Sequence, residues 1–187
     1  MVGAYTVFAN KGIRVEPLFV TRIEDSYGNT IANFTPQMSE VLTEDASYKM
    51  LHMLKSVIDG GTGGRVRFRY GIKAEMGGKT GTTQNNSDGW FMGFTPSLVS
   101  GCWVGGEDRS IHFDRLAEGQ GASMALPIYA LYMQKVYKDK TLGYSEDETF
   151  EIPEKYANPC SEGGEEDSPT TPPDTGAVSY THLTLPT

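Results

Sequence analysis

The sequence predicts an α+β fold, an antiparallel sheet flanked by helices. Two features carry that prediction. The elements run helix, hairpin, helix, several strands in quick succession, then helix. The links between the late strands are too short for the crossover that parallel pairing needs, so those strands pair antiparallel. A chain of 187 residues is long enough to bury one sizeable core.

Taken in order, "MVGAYTVFANKG" sets Val2, Tyr5, Val7 and Phe8 ahead of Gly12, the last turns of a helix with a glycine stop. "VEPLFVTRIEDSYGNTIANF" reads as two short strands joined at a turn, Ser26 to Asn29. Thr43 is an N-cap, and Glu44 and Asp45 suit the positive end of the helix it starts. Ala46, Met50, Met53, Leu54 and Val57 follow at helical spacing as the expected core stripe, and Gly60–Gly61 ends the run. "RVRFRYGI" alternates Arg65, Arg67 and Arg69 with Val66, Phe68 and Tyr70, which predicts a half-exposed strand with a solvated arginine face.

Trp90, Met92 and Phe94 alternate with Phe91 and Gly93, nearly all apolar, as in a central strand buried on both faces; Asp88 is assigned to the turn before it. "SLVSGCWVGGEDRS" is another apolar strand, broken at Gly105–Gly106, with Cys102 as a buried free thiol. The last helix is expected over 126–138, with Ile128, Leu131, Tyr132 and Val136 inward and Pro127 in the first turn.

The formal net charge of -8 is unevenly spread. Met1 to Gly143 carry 15 Lys and Arg against 14 Asp and Glu, whereas Tyr144 to Thr187 carry 10 acids and one base, Lys155. The acidity therefore belongs to a tail, and no basic excess points to a nucleic acid. The expected division is a folded body over 1–143 and a disordered tail over 144–177, acidic and rich in Pro, Gly, Ser and Thr. The final decapeptide, Val178 to Thr187, resembles one reading frame of a transposase adapter used in sequencing libraries and is set apart as foreign. The chain reads as a gene fragment.

Cys102 and Cys160 give neither a disulfide framework nor a metal spacing, and no metal or cofactor is expected. No apolar run reaches the ~18 residues of a membrane helix. His52 and His112 lack the surroundings of a Ser-His-Asp arrangement.

The chemistry concentrates in "GGKTGTTQNNSDGWFMGF", Gly77 to Phe94. Gly78-Lys79-Thr80 matches the end of a phosphate-binding loop, but the position that must hold the earlier glycine is Lys73. The residues that follow, Thr82 to Asn86, are poor helix formers, so the helix N-terminus of such a loop is missing too. The other reading is a strand bearing K-T-G, a signature element of penicillin-binding proteins and class A β-lactamases. "AYTVFANKG" upstream, "SDGWFMGFTP" and "LVSGCWVGGED" after the motif, and "ALPIYALYM" downstream extend it. In that order, Met1 to Tyr137 resemble the C-terminal part of the transpeptidase domain of bifunctional (class A) penicillin-binding proteins.

The resemblance implies a serine acyl transferase fold and activity, a D,D-transpeptidase that cross-links peptidoglycan stem peptides and is acylated by β-lactams. It implies that Lys79 and Thr82 are catalytic and that Thr80, Gly81, Thr82 and Thr83 contact substrate. Lys79 would polarise a serine, Thr80 and Thr82 would hold a terminal carboxylate, and the Thr82 backbone N–H would serve an oxyanion hole. Gly81 would admit a substrate strand along the edge. It also implies a bacterial membrane location with the domain on the extracytoplasmic side, and other cell-wall synthesis proteins as further partners. The family's S-x-x-K and S-x-N elements do not occur around Ser26, Ser39, Ser47 or Ser56, so this chain alone is expected to be inactive. A serine β-lactamase and a non-catalytic peptide-binding scaffold are the alternatives.

Overall fold

The computed structural model describes residues 1–157. In order they form α1 (Val2–Ala9), β1 (Ile13–Val15), β2 (Arg22–Glu24), β3 (Thr30–Asn33), β4 (Met38–Glu40), α2 (Glu44–Asp59), α3 (Arg65–Phe68), β5 (Gly77–Thr82), β6 (Asp88–Phe94), β7 (Val99–Gly105), α4 (Leu116–Gly119), α5 (Gly121–Lys138) and α6 (Glu154–Ala157). The chain divides into two compact units, Met1–Pro153 and Glu154–Thr187. Of the second unit, α6 is described, with the Lys155 ammonium over the Tyr156 ring. The expectations for Cys160, the Ser161–Gly176 stretch and the Val178–Thr187 decapeptide lie outside the described residues.

Among the described residues all pairing is antiparallel: a β1–β4 ribbon, a β2–β3 ribbon, and a three-stranded sheet in the order β5-β6-β7. The sheet carries the core. On one face, Phe91 stacks against Tyr129 of α5 with ring centroids 4.8 Å apart. Gly93 makes room there, since a Cβ would land in the Tyr129 ring. Burial pushes the Tyr129 phenol well above its ordinary pKa. The other face meets α1 and α2, where Phe94 packs with Tyr5, Leu51, Leu54 and Phe150.

The expected helix of the opening segment forms and ends before Gly12, whose φ of +91° is glycine's region. Thr43 caps α2 by accepting from the Ala46 N–H at 3.2 Å. The core stripe of α2, however, is Ser47, Leu51, Leu54 and Ile58, while Met50 and Met53 face solvent. The phase is displaced because a polar residue takes an inward position: the Ser47 hydroxyl is buried and donates to the Val7 carbonyl.

Two further expectations are corrected. "RVRFRY" is not a strand but the short helix α3 and its exit. Val66 is fully buried and Phe68 exposed, and Arg67 is no solvated stripe: it pairs with Asp59 and donates to the Ile72 and Ala74 carbonyls. In α5, Ile128, Leu131 and Tyr132 point outward; Leu126, Tyr129, Ala130, Met133 and Tyr137 form the inner face, joined by Val136. Helix α5 begins five residues earlier than 126, which leaves Pro127 in its second turn.

The body also runs past Gly143. Phe150 is buried, its N–H donates to Glu75 Oε2 at 2.8 Å, and the Glu75 carboxylate pairs with Lys55 on α2. Glu148 binds Ser97, and Glu151 binds Lys11. The segment 144–153 is therefore a packed strap within the first unit rather than the start of the tail.

Candidate active site

Strand β5 pairs with β6 from Gly77↔Phe94 to Thr82↔Gly89 and has no second strand partner among the described residues. It is the edge of the sheet, with its outer backbone row unclaimed by a strand. Gly77 and Gly78 are buried at its start, under Phe94 and Ile58, where side chains would collide. The strand then rises to the surface, and Lys79 is exposed.

Cross-strand pairing fixes the faces. Lys79 and Gly81 stand opposite Met92 and Trp90, whereas Thr80 and Thr82 stand opposite Phe91 and Gly89. The Lys79 ammonium bends back to donate to the Thr80 carbonyl at 2.8 Å. The Thr80 and Thr62 hydroxyl oxygens lie 2.9 Å apart. Thr82 Oγ1 accepts from the Gly121 N–H, the first of α5, at 3.0 Å, so its own proton stays available to an acceptor. A Cβ at Gly121 would run into the Gly81 and Trp90 carbonyl oxygens, which is why a glycine stands where α5 meets the sheet.

Thr83 and Gly81 also have structural roles of their own. Thr83 lies beyond the strand, and its hydroxyl closes the β5–β6 turn: it accepts from the Asp88 N–H at 3.0 Å and also lies against Ser87 Oγ and the Asp88 carbonyl. Asp88 serves that turn through its backbone. Gly81 is tight on the sheet face itself, since a Cβ would sit 3.2 Å from Trp90 Cβ. Asn85 and Asn86 carry the turn at φ of +59° and +55°, a conformation asparagine tolerates.

Sequence reasoning missed three contributors: Thr62, Gly121 and Arg65, whose guanidinium holds the Ala122 carbonyl at 3.1 Å and Ser123 Oγ at 3.0 Å. The signal available was "GGTGGR", a glycine-rich loop straight after a helix. Among the described residues no cluster of His, Cys, Asp and Glu could hold a metal, and no helix is long and apolar enough to cross a membrane. A separate cleft of about 230 Å³, lined in part by Phe8, Lys11, Glu44, Tyr48 and Phe150, shares no residue with β5.

An α+β fold with an edge strand bearing K-T-G and flanking threonine hydroxyls defines a candidate acyl-transfer site. The sequence profile of the penicillin binding protein transpeptidase domain matches residues 1–101, and the chain belongs to that family. It is 36% identical over 153 residues to penicillin-binding protein 1A of Aquifex aeolicus (strain VF5), covering 82% of this chain and 20% of that protein. It is 31% identical over 188 residues to penicillin-binding protein 1A of Clostridium tetani (strain Massachusetts / E88), covering 96% and 22%. The chain thus spans about a fifth of the length of these relatives. The crystal structure of penicillin-binding protein 1A from Haemophilus influenzae shares the fold, with a TM-score of 0.69 at 24% identity over 82% of this chain and 27% of that one. An imipenem acyl-enzyme of penicillin-binding protein A from M. tuberculosis aligns with a TM-score of 0.55 at 18% identity, covering 71% and 29%.

Proposed function

We propose that this chain supplies the substrate-binding edge of a D,D-transpeptidase that cross-links peptidoglycan stem peptides and that β-lactams acylate. The observation that carries the reading is β5: an edge strand with no second strand partner among the described residues, with an ammonium on one face and two threonine hydroxyls on the other. A substrate peptide adds to that edge as a further strand.

In the reaction a serine Oγ attacks the carbonyl between two D-alanines. An ester forms, and the terminal D-alanine leaves with a proton. The amine of a second peptide then takes the acyl group and restores the serine. Lys79 supplies positive charge facing the anionic donor and the serine. The Thr80 and Thr82 hydroxyls donate to the substrate's terminal carboxylate, and the Thr82 N–H faces the developing oxyanion. These 187 residues hold no S-x-x-K, so the chain alone is inactive and the serine belongs to the parent protein. The parent is a bifunctional, membrane-anchored synthase with this domain outside the cytoplasm.

The test is acylation by a fluorescent penicillin. In the full-length parent, Lys79→Ala slows acylation at least ~10-fold. Thr82→Ala has a smaller effect, because its backbone N–H remains. The present chain gives no labelled band that survives a denaturing gel. Parent-like rates in both folded variants would remove β5 from the site.

A further inference from the structure

We propose that Thr62 is a positioning residue that sets the direction of the Thr80 hydroxyl; the inference rests on the reading of β5 as the substrate edge. Thr62 lies in the loop between α2 and α3, 18 residues before Thr80, and the two hydroxyl oxygens are 2.9 Å apart. At that distance one hydroxyl donates and the other accepts. When Thr80 donates to Thr62, it turns only lone pairs outward, and these repel a carboxylate. When Thr62 donates to Thr80, the Thr80 proton is left for the ligand. An anion at the edge selects the second arrangement, in which Thr62 supplies the proton that the Thr80 oxygen accepts.

The loop is built to keep that geometry. The Gly63 N–H donates to the Val57 carbonyl at 2.9 Å and the Gly64 N–H to the Gly61 carbonyl at 3.0 Å. A Cβ at Gly61 would strike the Val57 backbone, and one at Gly63 would crowd Ile58, so the loop wraps the end of α2 more closely than other residues allow. Arg65, at its far end, grips the first turn of α5 through Ala122 and Ser123. That is the helix whose first N–H bonds Thr82. One loop therefore braces both hydroxyls, Thr80 directly and Thr82 through α5. The Thr80 carbonyl is held at the same time by the Lys79 ammonium.

The experiment measures the second-order acylation rate of the full-length parent by benzylpenicillin and by its methyl ester, with melting temperatures taken in parallel. Thr62→Val removes the hydroxyl at nearly constant volume and slows benzylpenicillin by about three- to tenfold, the effect of one hydrogen bond. Thr62→Ser restores the rate to within about twofold of the parent. The Thr62→Val/Thr80→Val double variant is no slower than Thr80→Val, because Thr62 acts only through that hydroxyl. The methyl ester, which lacks the anion, reacts equally with parent and Thr62→Val. Where valine disturbs the loop, Thr62→Ala takes its place. A Thr62→Val rate equal to the parent, losses that add in the double variant, an equal loss on the ester or no rescue by serine each overturn the inference. Lys79→Ala and Thr80→Val report on the underlying reading: if both keep the parent rate, the substrate edge itself is misplaced and the inference falls with it.

Discussion

The β5–β7 sheet and the two ribbons use the same antiparallel pairing, yet only the sheet has matter on both faces. Five of the seven residues of β6 are buried, whereas no residue of β1, β2, β3 or β4 is. The β2–β3 ribbon is held by local chemistry. Asp25 accepts from the Tyr27 and Asn29 N–H groups at 2.9 and 2.8 Å, Gly28 takes φ +85°, and Arg22 pairs with Glu24 at 2.8 Å. The sheet is held by glycines cut into it, which let α5 and its rings come within contact distance. The proposed substrate edge, which would have to hold two hydroxyls and an ammonium in fixed places, lies on the second kind of structure.

The sharpest way to break that contrast is to fill the glycine of α5 that lets the helix reach the sheet. In Gly121→Ala the new methyl meets the Gly81 and Trp90 carbonyl oxygens, which belong to paired strands and cannot swing aside like a side chain. The expected loss is about 3 kcal/mol of unfolding free energy in denaturant titration of the parent domain, with slowed acylation because Thr82 loses its partner. A loss below ~0.5 kcal/mol would show that α5 rides loosely on the sheet.

The same contrast explains which features could be read in advance. The Thr43 cap, the turn at Ser26 to Asn29 and the apolar run of β6 were legible because each is decided within a few residues, although the part Asp25 plays in that turn was not read. The K-T-G strand was legible for the same reason. The inward faces of α2 and α5 were not. In α5 the sheet side is made partly of Gly121, Ala122, Ala125 and Ala130, small residues that fit close to the strands, so the bulkier Ile128 and Leu131 are left outside. Counting apolar bulk then picks the wrong stripe. The alternation in "RVRFRY" misled because Arg67 is consumed by the carbonyls of the loop leading into β5. The glycine-rich "GGTGGR" marked a tight loop, but nothing local pairs Thr62 with Thr80, 18 residues further on.

A second, smaller effect tests where the buried region ends. Phe150 lies on the strap that composition had assigned to a tail, and it packs on Phe94 with ring centroids 5.9 Å apart. Phe150→Ala lowers the unfolding free energy by about 2 kcal/mol, less than a central core phenylalanine because the site sits at the rim of its cluster. A change near zero would return 144–153 to the tail.

The smallest effects belong to the ribbons and the linker between β1 and β2. Phe19 and Tyr27 are 95% and 89% exposed, so Phe19→Ser and Tyr27→Ser shift the global unfolding free energy by no more than ~0.5 kcal/mol. The Asp25 turn adds a pH signature that the sheet lacks. Hydrogen bonds from the Asn29 side chain and backbone, with that of Tyr27, hold the Asp25 carboxyl below its ordinary range. A depressed folded-state pKa means the turn's contribution is complete above the ordinary carboxylate pKa and is lost as pH falls through the lower, folded value. NMR of the Tyr27 and Asn29 amide protons should therefore show resonances that stay fixed through mildly acidic pH and move only below that range. Asp25→Ala should abolish the titration while leaving acylation by penicillin at the parent rate. If Asp25→Ala instead slowed acylation, the ribbons would be coupled to β5, and the division between a locally held accessory and a core-held site would fail.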